Sequence, residues 1–223
     1  MCYISAMIKA AHRWWARTIF NPYVDRLLRE NFSNFYRVNE YPTIPDDCGL
    51  VITPNHISWW DGFFIYYACR KFLRRRGHIL MLESQLKRYW FFQKLGAYSI
   101  NPQGPKSIAE TTQYTRELLS NLENFVVIYP QGDIEPYEKR PLALKKGLHL
   151  FIDTKAAKVR VLFVGFKIQY YNQKNPAVIM RFGDCLAAQS IVQDFNVFEN
   201  KFYENLELLS QAAFTGTFAG DIF

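Results

Sequence analysis

The chain has 223 residues, 49% hydrophobic content and a formal net charge of +7 at pH 7, which suit one α/β domain with an added helical piece. No segment approaches the roughly 20 consecutive apolar residues of a membrane-spanning helix, and we expect no signal peptide because the N-terminus lacks a continuous apolar core. The positive charge predicts an anionic partner, either a membrane surface or a phosphate-bearing ligand, and no nucleic-acid-binding motif is present.

Aromatic residues make up 17% of the chain, which favours an apolar groove or a membrane-facing surface over an ordinary cytosolic core. The four cysteines are scattered, and no C-x-x-C pair or histidine cluster completes a metal site. We therefore expect reduced thiols in a cytoplasmic protein, with neither a metal nor a nucleic acid as a partner.

The N-terminal residues have the pattern of a basic amphipathic helix. Over residues 3–20 apolar residues recur at helical spacing, with Trp15 on the apolar side and Arg17 on the basic side. This composition is typical of a helix that lies in a membrane interface, and equally of a helix packed on its own domain.

Asn21-Pro22 is expected to end this helix, and a second helix is predicted at 23–31. We therefore divide the chain into a helical membrane-association segment at 1–32 and one main domain at 33–223.

The main domain alternates between strand and helix patterns. Strands are predicted at 35–38, 50–52, 78–82, 96–100, 125–129, 159–170 and 177–182, and helices at 58–76 (with Gly77 as its cap), 85–94, 107–119, 142–157 and 197–214. This order predicts an α/β fold with a mixed, largely buried sheet flanked by helices.

The most informative stretch is V-I-T-P-N-H-I-S-W-W-D-G at 51–62. His56 lies in the break between a predicted strand and a predicted helix, and Asp61 lies in the first turn of that helix. A carboxylate there can hold one ring nitrogen and leave the other free to take a proton from a substrate hydroxyl. The alternative is structural: Ser58 and Asp61 also fit a helix capping box, and His56 can be an ordinary loop residue.

With these blocks in place, the chain resembles the PlsC-type glycerolipid acyltransferases of the lysophospholipid acyltransferase superfamily. N-H-I-S-W-W-D-G matches the family's N-H-x-S-x-x-D, and weaker blocks follow in the same order. They are Gly96-Ala97, Tyr129-Pro130-Gln131-Gly132 against Phe-Pro-Glu-Gly-Thr, Leu144-Lys145-Lys146-Gly147 against F-K-x-G, and the apolar strand at 159–164. The resemblance implies a PlsC-like fold and acyltransferase activity for the domain at 33–223.

The chain also departs from the family pattern. Asn101 or Pro102 stands where the second block has arginine, Gln131 replaces glutamate, and Asp133-Ile134 replaces Thr-Arg. In the family these blocks are associated with gripping the acceptor's phosphate, a task that suits the planar fork of arginine. Losing both arginines weakens the case for a phosphate-bearing acceptor.

The resemblance implies an acyl transfer in which His56 is the general base and Asp61 orients it. The acyl donor is acyl-CoA or an acyl carrier protein, the acceptor is a lipid, and no cofactor or metal is required. Trp59, Trp60 and Phe63 are the candidate acyl groove. The candidate substrate-binding residues are Ser58, Asn101, Gln131, Gly132, Asp133, Lys145 and Lys146. Amides at Gly132 or near Ser58 are candidate oxyanion donors, and Gln131 either holds a head-group hydroxyl or braces its own turn.

Three functions remain open at this point. The first is an O-acyltransferase like those that act on 1-acylglycerol-3-phosphate, and the second is an enzyme of the same fold with an aminolipid or glycosylated lipid as acceptor. The third is a catalytically silent membrane-binding or lipid-binding protein. In each case we expect a cytoplasmic protein bound peripherally to the inner face of the membrane.

Overall fold

The computed structural model describes residues 7–154 and 158–223, and within them eight strands form one mixed sheet. The strands are β1 (Phe35–Arg37), β2 (Gly49–Pro54), β3 (Arg76–Leu82), β4 (Ala97–Ile100), β5 (Asn124–Val127), β6 (Val159–Gln169), β7 (Ala177–Ala187) and β8 (Gly220–Asp221). Their order across the sheet is β4-β3-β5-β2-β6-β7-β1-β8. The five strands from β4 to β6 are parallel, whereas β7 pairs antiparallel with β6.

Helices cover both faces of this sheet. They are α1 (Trp14–Asn31), α2 (Asp61–Phe72), α3 (Glu83–Arg88), a 3-10 helix (Trp90–Leu95), α4 (Pro105–Ser120), α5 (Leu148–Ile152), α6 (Ala188–Gln193) and α7 (Phe195–Thr215). Two separate hydrophobic clusters result: one packs α1 and α2 on one face, and the other packs α4 to α7 on the opposite face.

Strand β2 shows why the central sheet forms. Leu50 and Ile52 belong to the cluster on the α1–α2 side, and Val51 between them belongs to the cluster on the α4–α7 side. All six residues of β2 are buried, as expected for a central parallel strand covered on both faces. The predicted α/β fold with a largely buried mixed sheet is therefore confirmed.

The N-terminal helix differs from its prediction. Residues 7–13 are not helical: the amides of Ala11 and Arg13 donate to Gln93 and Lys94 carbonyls, and Ser99 N–H donates to Ile8 O. Residues 3–6 of the predicted helix lie outside the described residues. The segment is extended because its backbone finds partners on the 3-10 helix and β4, which a helical pattern in the sequence cannot reveal.

The predicted stop at Asn21-Pro22 is also wrong, because α1 continues through Pro22 to Asn31. A proline inside a helix costs about 3 kcal/mol. Burial outweighs this cost, since Ala16, Phe20, Val24 and Leu28 keep a four-residue spacing across the proline and are all buried.

Two further predictions need correction. The helix predicted at 142–157 is reduced to α5, because residues 142–147 bond to other loops, for example through Lys145 N–H to Pro130 O at 2.7 Å. Residues 155–157 are not described. Gly77 does not cap α2 but lies in β3, where a side chain would collide with the Phe125 ring.

Candidate active site

The candidate catalytic residues lie at the carboxyl edge of the parallel strands. His56 follows the end of β2, and Gln131 follows the end of the neighbouring strand β5. Asn101 follows β4 at the same edge. Since β4 is three strands from β2, and neighbouring strands are about 4.8 Å apart, Asn101 is displaced from His56 by about 14 Å across the sheet.

Asp61, the first residue of α2, gathers the loop after β2 around one fully buried carboxylate. Its Oδ2 accepts hydrogen bonds from His56 Nδ1 at 2.8 Å, Ile57 N–H at 2.5 Å and Ser58 N–H at 2.8 Å. Its Oδ1 accepts a bond from Ser58 Oγ at 2.7 Å. The structure thus places the histidine–carboxylate contact and the Ser58–Asp61 contacts in one cluster. Trp60, not Ser58, occupies the N-cap position of α2, and a catalytic role for the pair stays a prediction.

This bonding fixes which nitrogen of His56 carries the proton. A carboxylate oxygen that already accepts two amide hydrogens has no hydrogen to offer the ring, so Nδ1 must be the donor. In the neutral ring Nε2 then carries a lone pair, and the ring is partly exposed, with 23% of the His56 side chain accessible. A base with an oriented ring and a free nitrogen is the arrangement that proton abstraction needs.

Tyr129 packs against the other side of this pair. Its ring centroid lies 4.5 Å from that of His56. Its hydroxyl is buried and has no hydrogen-bond partner among the described residues. Burial, Asp61 and Cys69 raise the pKa of Tyr129 well above its usual value. Tyr129 therefore limits the motion of the imidazole on one face and stays neutral.

Gln131 is completely buried beside the His56 backbone rather than directed at solvent. Its Oε1 accepts the His56 N–H at 2.7 Å, and its Nε2 donates to His56 O at 3.2 Å and to Glu135 Oε2 at 3.3 Å. Of the two roles considered from the sequence, this geometry supports the brace, because both amide hydrogens are already used.

The remaining polar candidates are on the exposed side of the same loops. Lys145 lies over Gly132, since a Cβ at 132 would be 3.2 Å from Lys145 Cε, and its Nζ is 3.7 Å from Asp133 Oδ2. Lys146 is exposed, and Asn101 accepts the Gln103 amide within its own turn. The structure therefore brings Gly132, Asp133 and Lys145 together, and roles for all of these residues in substrate binding stay predictions.

The candidate oxyanion donors are engaged within the protein. Gly132 has a φ of 75° and its N–H donates to Tyr129 O at 3.1 Å, and the Ser58 N–H is bound to Asp61. Ser58 Oγ also accepts the Trp60 N–H at 3.2 Å. A glycine at 132 suits the left-handed backbone of this turn.

The three residues predicted to line an acyl groove form part of an aromatic cluster beside His56. Trp59 is exposed, Trp60 is half-buried and Phe63 is buried, and the rings of Trp59 and Phe63 are 4.8 Å apart. The cluster continues from Phe63 to Phe20 of α1. Whether an acyl chain binds there stays a prediction.

The aromatic cluster leads to an exposed surface, which we call the apolar patch. It consists of Trp15, Ile19, Tyr23, Trp59 and Trp90, each more than a third exposed. The first three follow one another at four-residue spacing along α1 and so share one face of that helix. Two rings join the parts: the buried Phe20 contacts Tyr23, and the half-buried Phe91 contacts Trp15, Phe20 and Trp90.

Sequence reasoning assigned no site role to Tyr129 or Glu135. The signal at Tyr129 was its position directly before Pro130-Gln131-Gly132, at the end of an apolar strand. Glu135 carried no such signal, because its partners Gln131, Ala143 and Lys139 come from separate turns of the loop. Among the described residues, no group of three or more histidine, cysteine or acidic side chains could hold a metal ion.

A model of the acyltransferase family matches residues 36–164, which is more than half of the chain. The chain therefore belongs to the acyltransferase family. Its fold is similar to the crystal structure of PlsC, the 1-acyl-sn-glycerophosphate (LPA) acyltransferase from Thermotoga maritima. The TM-score is 0.60 and the identity 12%, over 87% of this chain and 78% of that chain. No curated protein sequence matches the chain. The family and the fold predicted from the sequence are thus confirmed.

Proposed function

We propose that this acyltransferase moves a fatty acyl group from acyl-CoA or an acyl carrier protein to a hydroxyl or amine of a membrane-lipid acceptor. The observation that carries the proposal is the His56–Asp61 pair. One ring nitrogen is held by a buried carboxylate at 2.8 Å, and the other has a lone pair at a partly exposed position. In a chain of the acyltransferase family, this geometry supports His56 as the general base.

The reaction then proceeds through one proton relay. His56 Nε2 takes the proton of the acceptor hydroxyl as its oxygen attacks the thioester carbonyl, and Asp61 stabilises the resulting imidazolium. The tetrahedral intermediate collapses with loss of the thiolate, which takes the proton back from His56 and leaves as a free thiol. General base catalysis of this kind contributes about 10²- to 10⁴-fold in rate.

Within this proposal the acceptor can be a phosphate-bearing glycerolipid, and a second candidate is an aminolipid or a glycosylated lipid. The observation that favours it is the pairing of Lys145 with Asp133 at 3.7 Å beside Gly132. A phosphate there would have to compete with Asp133 for one lysine. Lysine is also a point charge without the two-pronged geometry of the arginines missing from this region.

The apolar patch supports peripheral attachment to the inner face of the membrane. Trp and Tyr side chains favour the boundary between lipid and water, and the patch includes Trp59, three residues from His56 in the chain. Arg13, just before α1, and Arg88, the last residue of α3, are exposed and lie two residues from Trp15 and Trp90 in the chain, and cations there attract anionic lipid. None of the helices in the described residues is long and apolar enough to cross a membrane.

One assay separates the candidate functions. Purified protein is mixed with acyl-CoA and with lysophosphatidate, glycerol phosphate, an aminolipid or a glycosylated lipid, and thiol release is followed. His56→Ala should lower release at least 100-fold, and His149→Ala, an exposed histidine on α5, is the matched control. Unchanged release by His56→Ala would remove the proposed base, and no release with any acceptor would favour a silent lipid-binding protein.

Membrane attachment is tested with substitutions, since deleting residues 1–20 would remove the buried Ala16 and Phe20. Ile19→Ser/Trp90→Ser should weaken sedimentation with anionic liposomes about 10-fold or more, because each apolar side chain that enters the lipid contributes about 1.5–3 kcal/mol. Phe214→Ser is the control: it removes a ring that is more exposed than either, from α7 on the opposite face of the sheet. Equal sedimentation of the double variant and this control would contradict the attachment surface.

A further inference from the structure

The Gln131 amide holds the backbone of His56 from both sides. It accepts a hydrogen bond from His56 N–H at 2.7 Å and donates one to His56 O at 3.2 Å. Only a group with both a donor and an acceptor can form this pair, and an ionised carboxylate of the same shape has no donor. The side chain is fully buried, so water does not replace either bond.

A second group, Glu135, depends on the same amide. Its Oε2 accepts from Gln131 Nε2 at 3.3 Å and from Ala143 N–H at 3.1 Å, and its own N–H donates to His56 O at 2.9 Å. Lys139 pairs with its Oε1. The hydrogen bond from Lys139, with those from Ala143 and Gln131, lowers the pKa of Glu135 despite burial. A buried, ionised carboxylate therefore faces position 131 and needs a hydrogen-bond donor there.

We propose that Gln131 and Glu135 are a coupled pair of positioning residues for the base His56, and that the carboxylate at 135 is the reason that position 131 carries an amide. In this proposal neither side chain touches the substrate. Gln131 acts directly on the peptide of His56, and the Glu135 carboxylate acts on that peptide through the Gln131 amide. The inference rests on the proposed function, since it assigns these residues to the same acyl-transfer site. It also explains the glutamine that stands where the resembling motif has glutamate.

The coupling predicts a specific pattern across three variants. Gln131→Glu would direct a second carboxylate at Glu135 Oε2 and at His56 O, both of which are acceptors. We expect its kcat to fall about 10- to 100-fold at pH 8 with little change in KM. Glu135→Gln, which keeps a polar side chain of the same shape, should lower kcat by about threefold or less. In the swapped variant Gln131→Glu/Glu135→Gln, the amide introduced at position 135 can donate to the carboxylate introduced at position 131. His56 O loses the side-chain donor but keeps the backbone N–H of residue 135, so kcat should recover to within about fivefold of the wild type.

The pH dependence distinguishes this pair from a general loss of packing. In Gln131→Glu the carboxylates at positions 131 and 135 are in contact, which raises the pKa of one of them. As the pH falls, that group takes up a proton. The protonated carboxyl can then donate a hydrogen bond to the other. The ratio of Gln131→Glu to wild-type kcat should therefore rise from pH 8 to pH 6. Gln131→Met, which removes the hydrogen bonds without adding charge, should show a constant ratio over that range.

A chemical probe reads the position of His56 without an acceptor. Diethyl pyrocarbonate modifies a neutral imidazole nitrogen, and the rate at His56 can be compared with that at the exposed His149 by peptide mass spectrometry. Gln131→Glu should change this ratio more than twofold, and the swapped variant should restore it. If the wild type transfers no acyl group, the proposed function fails, and the modification ratios still test the pair.

The inference is overturned if Gln131→Glu retains wild-type kcat and modification ratio, or if the swapped variant is no better than Gln131→Glu alone. Should Gln131→Glu fail to fold, circular dichroism of the swapped variant decides. Recovered folding supports the coupling, and an equally unfolded double variant overturns it.

Discussion

His56 lies against a buried carboxylate, whereas His12 and His78 lie against one another. The His56 ring donates to Asp61 at 2.8 Å, and the amides of Ile57 and Ser58 donate to the same carboxylate, so these contacts join residues at most five positions apart. The rings of His12 and His78 meet edge to face with centroids 4.8 Å apart, and they come from the N-terminal segment and β3. The same side chain is therefore placed once beside an anion and once beside another potential cation.

The charges around the second pair oppose its protonation. Burial, then His78, Arg17 and Arg76, lower the pKa of His12 to about 3. Burial lowers the pKa of His78 to about 4, although the neighbouring Asn124 favours its charged form. Both rings are neutral at physiological pH, and their contact packs the segment at 7–13 against β3. The charge next to the ring thus distinguishes His56, the proposed base, from the packed pair of His12 and His78. The predictions below change the surroundings of one or the other.

Removing the charge beside His56 should have the largest effect. Asp61→Asn keeps an oxygen that can accept from His56 Nδ1 and the two amides, but no longer stabilises an imidazolium. We expect kcat for acyl transfer to fall about 10²- to 10⁴-fold. Asp46→Asn, which removes a fully exposed carboxylate, is the matched control. A kcat of Asp61→Asn within threefold of this control would show that the carboxylate is only a helix cap.

Displacing His12 should have the next largest effect. Gly96 has a φ of 117°, and a Cβ there would collide with Gly77 O and the His12 ring. Gly96→Ala should therefore lower the free energy of unfolding by about 2–4 kcal/mol, from backbone strain and the collision. Gly147→Ala is the control, because its φ is −55° and nothing lies within 4 Å of the added methyl. Equal thermal midpoints for the two variants would mean that the N-terminal segment does not depend on this contact.

The same difference explains how much of the structure could be predicted from the sequence. The contact between His56 and Asp61 was predictable because the donors to the Asp61 carboxylate, at positions 56 to 58, are its close neighbours in the chain. Residues 7–13 were not, because an extended segment bonded to Gln93, Lys94 and Ser99 leaves an apolar pattern that also fits a helix.

The central strands were predictable for a different reason. Apolar runs such as the one at 125–128 are too short for helices, and the strands they form are buried on both faces. The brace formed by Gln131 and Glu135 stayed hidden, since its geometry is set by the loop at 142–147, which was expected to be helical. Contacts between distant residues thus account for both errors.

As the pH falls, the contribution of the His12–His78 pair to the free energy of unfolding should decrease at a higher pH than the contributions of the carboxylates. Both folded-state pKa values lie below the ordinary 6.5, so the unfolded chain takes up protons first as the pH falls. The stability that the neutral pair contributes is fully present above about pH 6.5 and is lost progressively toward pH 4 to 3. The midpoint of thermal unfolding should therefore decrease between pH 7.5 and 5. His12→Phe/His78→Phe, which keeps two rings but cannot be protonated, should decrease less over the same range; equal slopes would refute the assignment.

The smallest expected effect concerns Tyr129, whose ring packs on His56 at 4.5 Å while its buried hydroxyl lacks a partner among the described residues. An unpartnered buried hydroxyl costs about 1–3 kcal/mol, so Tyr129→Phe should raise the free energy of unfolding by about 1 kcal/mol and keep the stacking. Tyr137→Phe is the matched control, because its hydroxyl donates to Leu206 O at 2.6 Å and its loss should destabilise the protein. If Tyr129→Phe instead lowers kcat more than 10-fold at unchanged stability, the hydroxyl acts on the base. The surroundings of His56 would then include a second polar group besides Asp61, because a ring that only packs would not change the rate when its hydroxyl is removed.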